Sequence, residues 1–213
     1  MSENFKKGLL LSLILVLVVL LIAGSTFAYF IISVDDGGNK INGNTLAFNA
    51  SVGVDVIRSG NLIPTADNLI MTSLNGSYPC EDSRGYSLCS LYRINLVNSG
   101  TTINLNGYVL TNAGTSFTSN YLKYQLLTKS TSYASASDIN TLNIANNSKN
   151  YFKLNNNNIN FSLNQNGSSE YYLVIWLSDP GNVNQLDDVN ETYDGSIVFE
   201  SQNGGRIFVN FTS

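Results

Sequence analysis

The chain has 213 residues, 43% of them hydrophobic and only 12% charged, with no histidine and two cysteines. Without imidazole there is no Ser-His-Asp triad, no Cys-His dyad and no histidine metal ligand. Two thiols allow at most one disulfide, and neither a zinc knuckle nor an iron–sulfur cluster. A formal charge of −4 argues against a nucleic-acid partner, because phosphate binding needs a basic face.

The first element in chain order is apolar and long. Lys6 and Lys7 precede Gly8 to Val34, which carries no charge, and Leu9 to Ala23 is almost pure Leu/Ile/Val, broken by Ser12. A bilayer needs roughly 20 apolar residues to cross about 30 Å, and Leu9 to Ile32 as a helix would run roughly 36 Å. Residues 1–34 therefore read as a signal peptide or a membrane anchor. In the first case small residues in Gly24-Ser25-Thr26-Phe27-Ala28 place cleavage between Ala28 and Tyr29. In the second, Lys6 and Lys7 stay inside and residues 9–32 span the membrane. Both readings export the rest of the chain, to the outer face of the cell membrane or to the cell surface. No cysteine stands directly after the apolar run to carry a lipid, which excludes a bacterial lipoprotein.

Residues 35–45 form a polar stretch of turn composition, a linker or a strand available for donation, and residues 46–213 read as one all-β domain. Leu46, Phe48, Ala50, Val52, Val54 and Val56 alternate with polar residues, a half-buried strand. Leu91 to Val97 and Ile103 to Leu110 flank Asn98-Ser99-Gly100, a hairpin or a corner where the chain changes sheets. Leu122, Tyr124 and Leu126 alternate again, as do Ile159, Phe161 and Leu163. Tyr171 to Leu177 is apolar on both faces and predicts a central strand covered on both sides. Ser196 to Glu200 and Arg206 to Phe211 close the chain around the turn Gln202-Asn203-Gly204-Gly205. No segment after residue 34 shows a 3.6-residue period. About eight strands with Gly/Asn/Ser-rich connections predict an antiparallel β-sandwich. Asparagine supplies about one residue in seven. The run Asn155 to Asn158 is then a loop tip, since asparagine tolerates left-handed backbone.

Candidate chemistry is sparse. Cys80 and Cys89 in an exported chain predict a disulfide, whereas a reactive thiol would want a histidine or a helix N-terminus beside it. The acidic loop 179–191 holds oxygen ligands suited to Ca²⁺ but lacks EF-hand spacing, so it reads as a solvated loop with calcium left open. Paired carboxylates for glycoside hydrolysis cannot be located by spacing. Tyr171, Tyr172 and Trp176 suit a sugar-binding face or, on a doubly apolar strand, the core. The residues predict no catalytic site, no metal site and no cofactor.

Two stretches carry a family resemblance. Gly24-Ser25-Thr26-Phe27-Ala28-Tyr29-Phe30 resembles the end of the special signal sequences of TasA and camelysin-type proteins, exported proteins of Gram-positive bacteria. Asn42-Gly43-Asn44-Thr45-Leu46-Ala47-Phe48 resembles that family's first strand, and Tyr92 to Gly100 its strand and turn. Val174-Ile175-Trp176-Leu177 together with Tyr193 to Phe199 resembles its closing strands. Ile31-Ile32 replaces the aspartate that usually follows "A-Y-F", and the Cys80/Cys89 loop has no counterpart. The resemblance implies a jelly-roll-like sandwich that builds extracellular fibres or biofilm matrix, each subunit's N-terminal strand completing the next subunit's sheet. Here the donor would come from roughly Tyr29 to Leu46. The peptidase label of camelysin relatives does not carry over, because zinc has no histidine to bind.

Three functional expectations follow. The first is a non-enzymatic surface protein that self-assembles as a matrix or fibre subunit. The second is a monomeric, adhesin-like binding module tethered through an intact helix. The third is a pilin-like subunit, with Lys7-Gly8 as a prepilin cleavage site that leaves Leu9 first; it ranks last, since Leu13 stands where bacterial pilins carry glutamate.

Overall fold

A computed structural model of the chain describes residues 40–44, 49–118, 120–181 and 191–212. The apolar segment, the Ala28/Tyr29 cleavage candidate, Leu46 and Phe48, and most of the acidic loop lie outside the described residues. Among the described residues no helix is long and apolar enough to cross a membrane.

Two antiparallel sheets pack face to face. The first runs in the order β1 (Lys40–Asn44), β2 (Ala50–Arg58), β3 (Ser90–Asn98), β12 (Ser168–Leu177), β5 (Leu122–Lys129) and β6 (Tyr133–Ser135), with β7 (Asn140–Thr141) also beside β5. The second runs β11 (Asn160–Leu163), β4 (Ile103–Thr111), β13 (Asp194–Ser201) and β14 (Arg206–Thr212), with β8 (Lys149–Tyr151) also beside β4. A separate hairpin joins β9 (Lys153–Leu154) to β10 (Asn157–Asn158). The expected sandwich is present. It has more strands than expected because several edge segments are only two to four residues long, too short to show alternation.

Period-2 patterning sorts side chains to the two faces of each sheet. Ala50, Val52 and Val54 of β2 and Tyr92, Ile94 and Leu96 of β3 point between the sheets, where they meet Val109, Ile197, Phe199 and Val209. Asn98-Ser99-Gly100 is a corner between sheets: β3 belongs to the first sheet and β4 to the second. The buried Asn98 side chain holds it, donating to the carbonyls of Thr101 (2.8 Å), Leu163 (3.2 Å) and Asn164 (3.0 Å) and accepting from the Gly100 N–H (3.0 Å). Gly107 opens the inner face of β4 to aromatic rings, since an added Cβ would stand 2.7–2.8 Å from Phe161, Phe152 and Phe199.

Strand β12 is covered on both sides, as its sequence predicts. Leu173, Ile175 and Leu177 face the inter-sheet core, while Tyr172, Val174 and Trp176 face a second cluster. What covers that outer side is a helix, α1 (Asp67–Leu74), which the periodicity does not reveal. Its two turns bury only Ile70 and Leu74, one i, i+4 pair, and Ala66 at its N-cap position offers no capping side chain. Beyond α1, Asn75 caps the edge strand β6: its Oδ1 accepts from the Tyr133 N–H (2.7 Å) and its Nδ2 donates to the Tyr133 carbonyl (3.4 Å). An exposed ladder end is thereby blocked.

The asparagines behave as turn formers. Asn147, Asn155, Asn156 and Asn166 all adopt positive φ, between 53° and 64°. Asn155 and Asn156 form the two-residue tip of the β9–β10 hairpin, where both central residues need φ above zero. Residues 40–44, expected as linker or donor strand, form β1, paired to β2 from Lys40↔Asp55 to Asn44↔Ser51.

Candidate functional site

Polar chemistry converges in two places, on the outer faces of the two sheets. Over the first sheet, Asp67 begins α1 above the ends of β5 and β12. Its Oδ1 accepts from the Trp176 indole N–H (2.9 Å) and the Ser178 hydroxyl (2.7 Å), and its Oδ2 pairs with Lys123. Burial pushes the Asp67 pKa up, but the bonds from Lys123, Trp176 and Ser178 outweigh it and hold the carboxyl below its ordinary value. Asp67 is thus an ionised anchor that ties the helix to the sheet.

On the second sheet a row of side chains crosses four strands: Tyr151, Tyr108, Val198 and Phe208 stand in register. Beside it, Glu200 accepts from Tyr108 Oη (3.1 Å), Lys149 Nζ (2.9 Å) and Arg206 Nε (3.0 Å). Burial raises its pKa, and the three donors more than reverse that. Lys149 also lies 4.8 Å over the Tyr108 ring. With three donors engaged, Glu200 is an ionised acceptor at neutral pH, unsuited to donate a proton as a general acid.

Cys80 and Cys89 form the expected disulfide, with Cα atoms 4.9 Å apart and both residues buried. The bond stands beside Leu91 and Trp176 in the outer cluster. The loop it closes projects away from that cluster, with Ser83, Arg84, Gly85 and Tyr86 exposed.

The other candidates separate. Tyr172 and Trp176 belong to the outer cluster and Tyr171 packs on the inner core against Phe161, rings 5.1 Å apart. The three do not share a face. Of the acidic loop, Asp179 accepts from the Gly181 N–H (2.7 Å). Among the described residues no group of three or more metal-ligating side chains comes together. A shallow polar cleft of about 240 Å³ lies between Ile103 and the β13–β14 turn, without a titratable side chain in its lining.

The Asp67 and Glu200 centres were not singled out from sequence. A lone tryptophan on a strand apolar on both faces does signal a buried indole N–H that needs an acceptor. Nothing in the spacing identifies Asp67, 109 residues away, as that acceptor.

The architecture defines the class: an all-β antiparallel sandwich with a helix and a disulfide-closed loop layered on one sheet. The chain matches no protein-family model and no curated protein. Among solved structures it is similar to the pilus backbone subunit (RrgB) of Streptococcus pneumoniae, at 14% identity and a TM-score of 0.25. That match covers 56% of this chain and 44% of the pilus subunit, so the chain spans less than half of its length.

Proposed function

We propose that this chain is a non-enzymatic exported surface protein, a matrix or fibre subunit of jelly-roll type that assembles by strand addition. The observation that carries this reading is β1. The stretch that follows the apolar segment is a five-residue edge strand, paired antiparallel with β2. A strand that joins its own sheet at the edge can join a second copy's sheet through the same backbone groups. At the neighbouring edge of the second sheet lies β14, which runs close to β1 and β2 and, among the described residues, pairs only with β13. The complete lack of histidine and the commitment of Asp67 and Glu200 to ion pairs support a role without catalysis.

N-terminal sequencing of the protein recovered from cells tests the export route. Tyr29 at the start supports a fibre subunit, Leu9 a pilin-like one, and Met1 or Ser2 a tethered module held by residues 9–32. Electron microscopy of the same material should show filaments that deletion of residues 35–45 abolishes. A Tyr29-initiated protein that stays monomeric at high concentration overturns strand addition.

A further inference from the structure

We propose that the cleft between the start of β4 and the β13–β14 turn binds a neutral sugar ring, the terminal residue of a glycan chain. Both walls of the cleft are fixed from beneath. On one side, the Ser201 N–H donates to the Gly205 carbonyl (2.8 Å), the buried Ser201 hydroxyl accepts from the Gly205 N–H (3.1 Å), and the Gly204 N–H donates to the Ser201 carbonyl (3.0 Å). Gly204, at φ 81°, makes the turn that L side chains resist. On the other side, the buried Asn98 amide donates to the Thr101 carbonyl (2.8 Å), and β11 pairs Leu163 with Ile103 and Ser162 with Asn104. The pairing of Ser201 with Leu105 joins the two walls. A frame set before binding loses little entropy when it takes a ligand.

The rim of this frame is polar, uncharged and uncommitted. Thr102, Asn104, Gln202 and Asn203 line the cleft, all four are exposed, and none of their side chains bonds to another group among the described residues. The three amides each present a donor and an acceptor, and the threonine hydroxyl serves as either. Neighbouring hydroxyls of a sugar offer the same two functions in return. Charge excludes other polar ligands. No lining side chain titrates, and the nearest charges along the chain, Glu200 and Arg206, pair with each other at 3.0 Å. A carboxylate or phosphate would give up water there with no counter-charge to meet. A nucleobase would want an aromatic face, whereas the apolar member of this lining is Ile103. The cleft holds about 240 Å³, below the ~300–1,000 Å³ of a drug-sized pocket, so it takes one ring and not a length of chain. Its shallow form leaves the rest of a glycan in solvent.

The test uses the full chain in deuterated mild detergent, with saturation-transfer NMR reading contact between protein and sugar. The probes are glucose, galactose, mannose and N-acetylglucosamine, each with its methyl glycoside, and galacturonate is the charged control. At least one neutral sugar should show transfer at millimolar concentration, its methyl glycoside should bind as well as the free sugar, and galacturonate should show none. Gln202→Ala and Asn104→Asp should each weaken that binding by about three- to tenfold, the worth of one hydrogen-bonding group. Y86S, on the disulfide-closed loop, should leave it unchanged. Emission from Trp176, the only tryptophan, confirms that each variant is folded. No transfer to any neutral sugar, galacturonate bound as well as galactose, or unchanged binding by both Gln202→Ala and Asn104→Asp overturns the proposal. Free sugars bound without their glycosides overturn a glycan end, and weakening by Y86S overturns the cleft as the site of contact.

Discussion

Replacing Asp67 with alanine should unfasten α1 from the first sheet. The perturbation removes the acceptor of the Trp176 indole N–H, and Trp176 is fully buried. A buried donor left without a partner costs about 1–3 kcal/mol. The Lys123 pair, whose side chains are 26% and 32% exposed, adds less than about 1 kcal/mol because solvent screens it. The sum is about 1–4 kcal/mol, which for a domain of this size lowers Tm by roughly 2–16 °C. Trp176 is the only tryptophan in the chain, so its fluorescence reports on this site alone. Urea titrations followed by tryptophan emission should show an earlier midpoint for D67A, with a shifted native baseline. D67N keeps an oxygen that accepts from Trp176 and Ser178 and loses the charge, so it should forfeit less than half as much. The pH dependence has a definite sign. The Asp67 pKa is lowered in the folded state, so its contribution is complete above the ordinary carboxylate range near ~4 and vanishes as pH falls through the depressed value. The gap between wild type and D67N should therefore narrow below about pH 4. A D67A midpoint indistinguishable from wild type refutes the assignment of Asp67 as the anchor of α1.

The remaining predictions are more local. Serine at both Cys80 and Cys89 should destabilise the chain by about 2.7 kcal/mol in denaturant titrations, the chain-entropy value for a ten-residue loop. Gly107→Ala places a methyl among three phenylalanine rings and should cost about 1–3 kcal/mol by overpacking, measured as a drop in Tm. Asn156→Gly should be neutral or stabilising and Asn156→Val should cost about 1–2 kcal/mol, because the hairpin tip holds φ at 64°. Burial pushes the Tyr172 and Tyr193 hydroxyls up to about 12. Stability that depends on them is complete below ~10, the unfolded tyrosine value, and is lost as pH rises toward 12, so absorbance at alkaline pH should show late tyrosines ionising together with unfolding.

Strand identity was legible wherever one face of a strand meets the core. Ala50 to Val56, Leu91 to Val97 and Ile103 to Leu110 alternate because each lies between polar solvent or an outer layer and the inter-sheet core. The short edge strands β6 to β10 were illegible for the opposite reason. They are two or three residues long and are held by backbone pairing and by side chains such as Asn75, which leave no period to read. The helix α1 falls in the same class, since eight residues with two buried positions barely separate from chance.

Composition and patterning alone determined that the folded part is all-β, that its asparagines serve turns, that imidazole chemistry is excluded and that the two cysteines would pair. These are properties of residue type and of neighbours a few positions apart, and no long-range information is needed to state them. Tertiary structure alone decided that α1 covers the outer face of β12 and that Asp67 meets Trp176 across 109 residues. It also decided that Glu200 gathers Tyr108, Lys149 and Arg206, and that Tyr78 and Tyr86, beside the two disulfide cysteines, stay exposed. Those outcomes depend on which sheet faces receive which loops, and register and layer packing set that choice at distances where sequence spacing carries no signal.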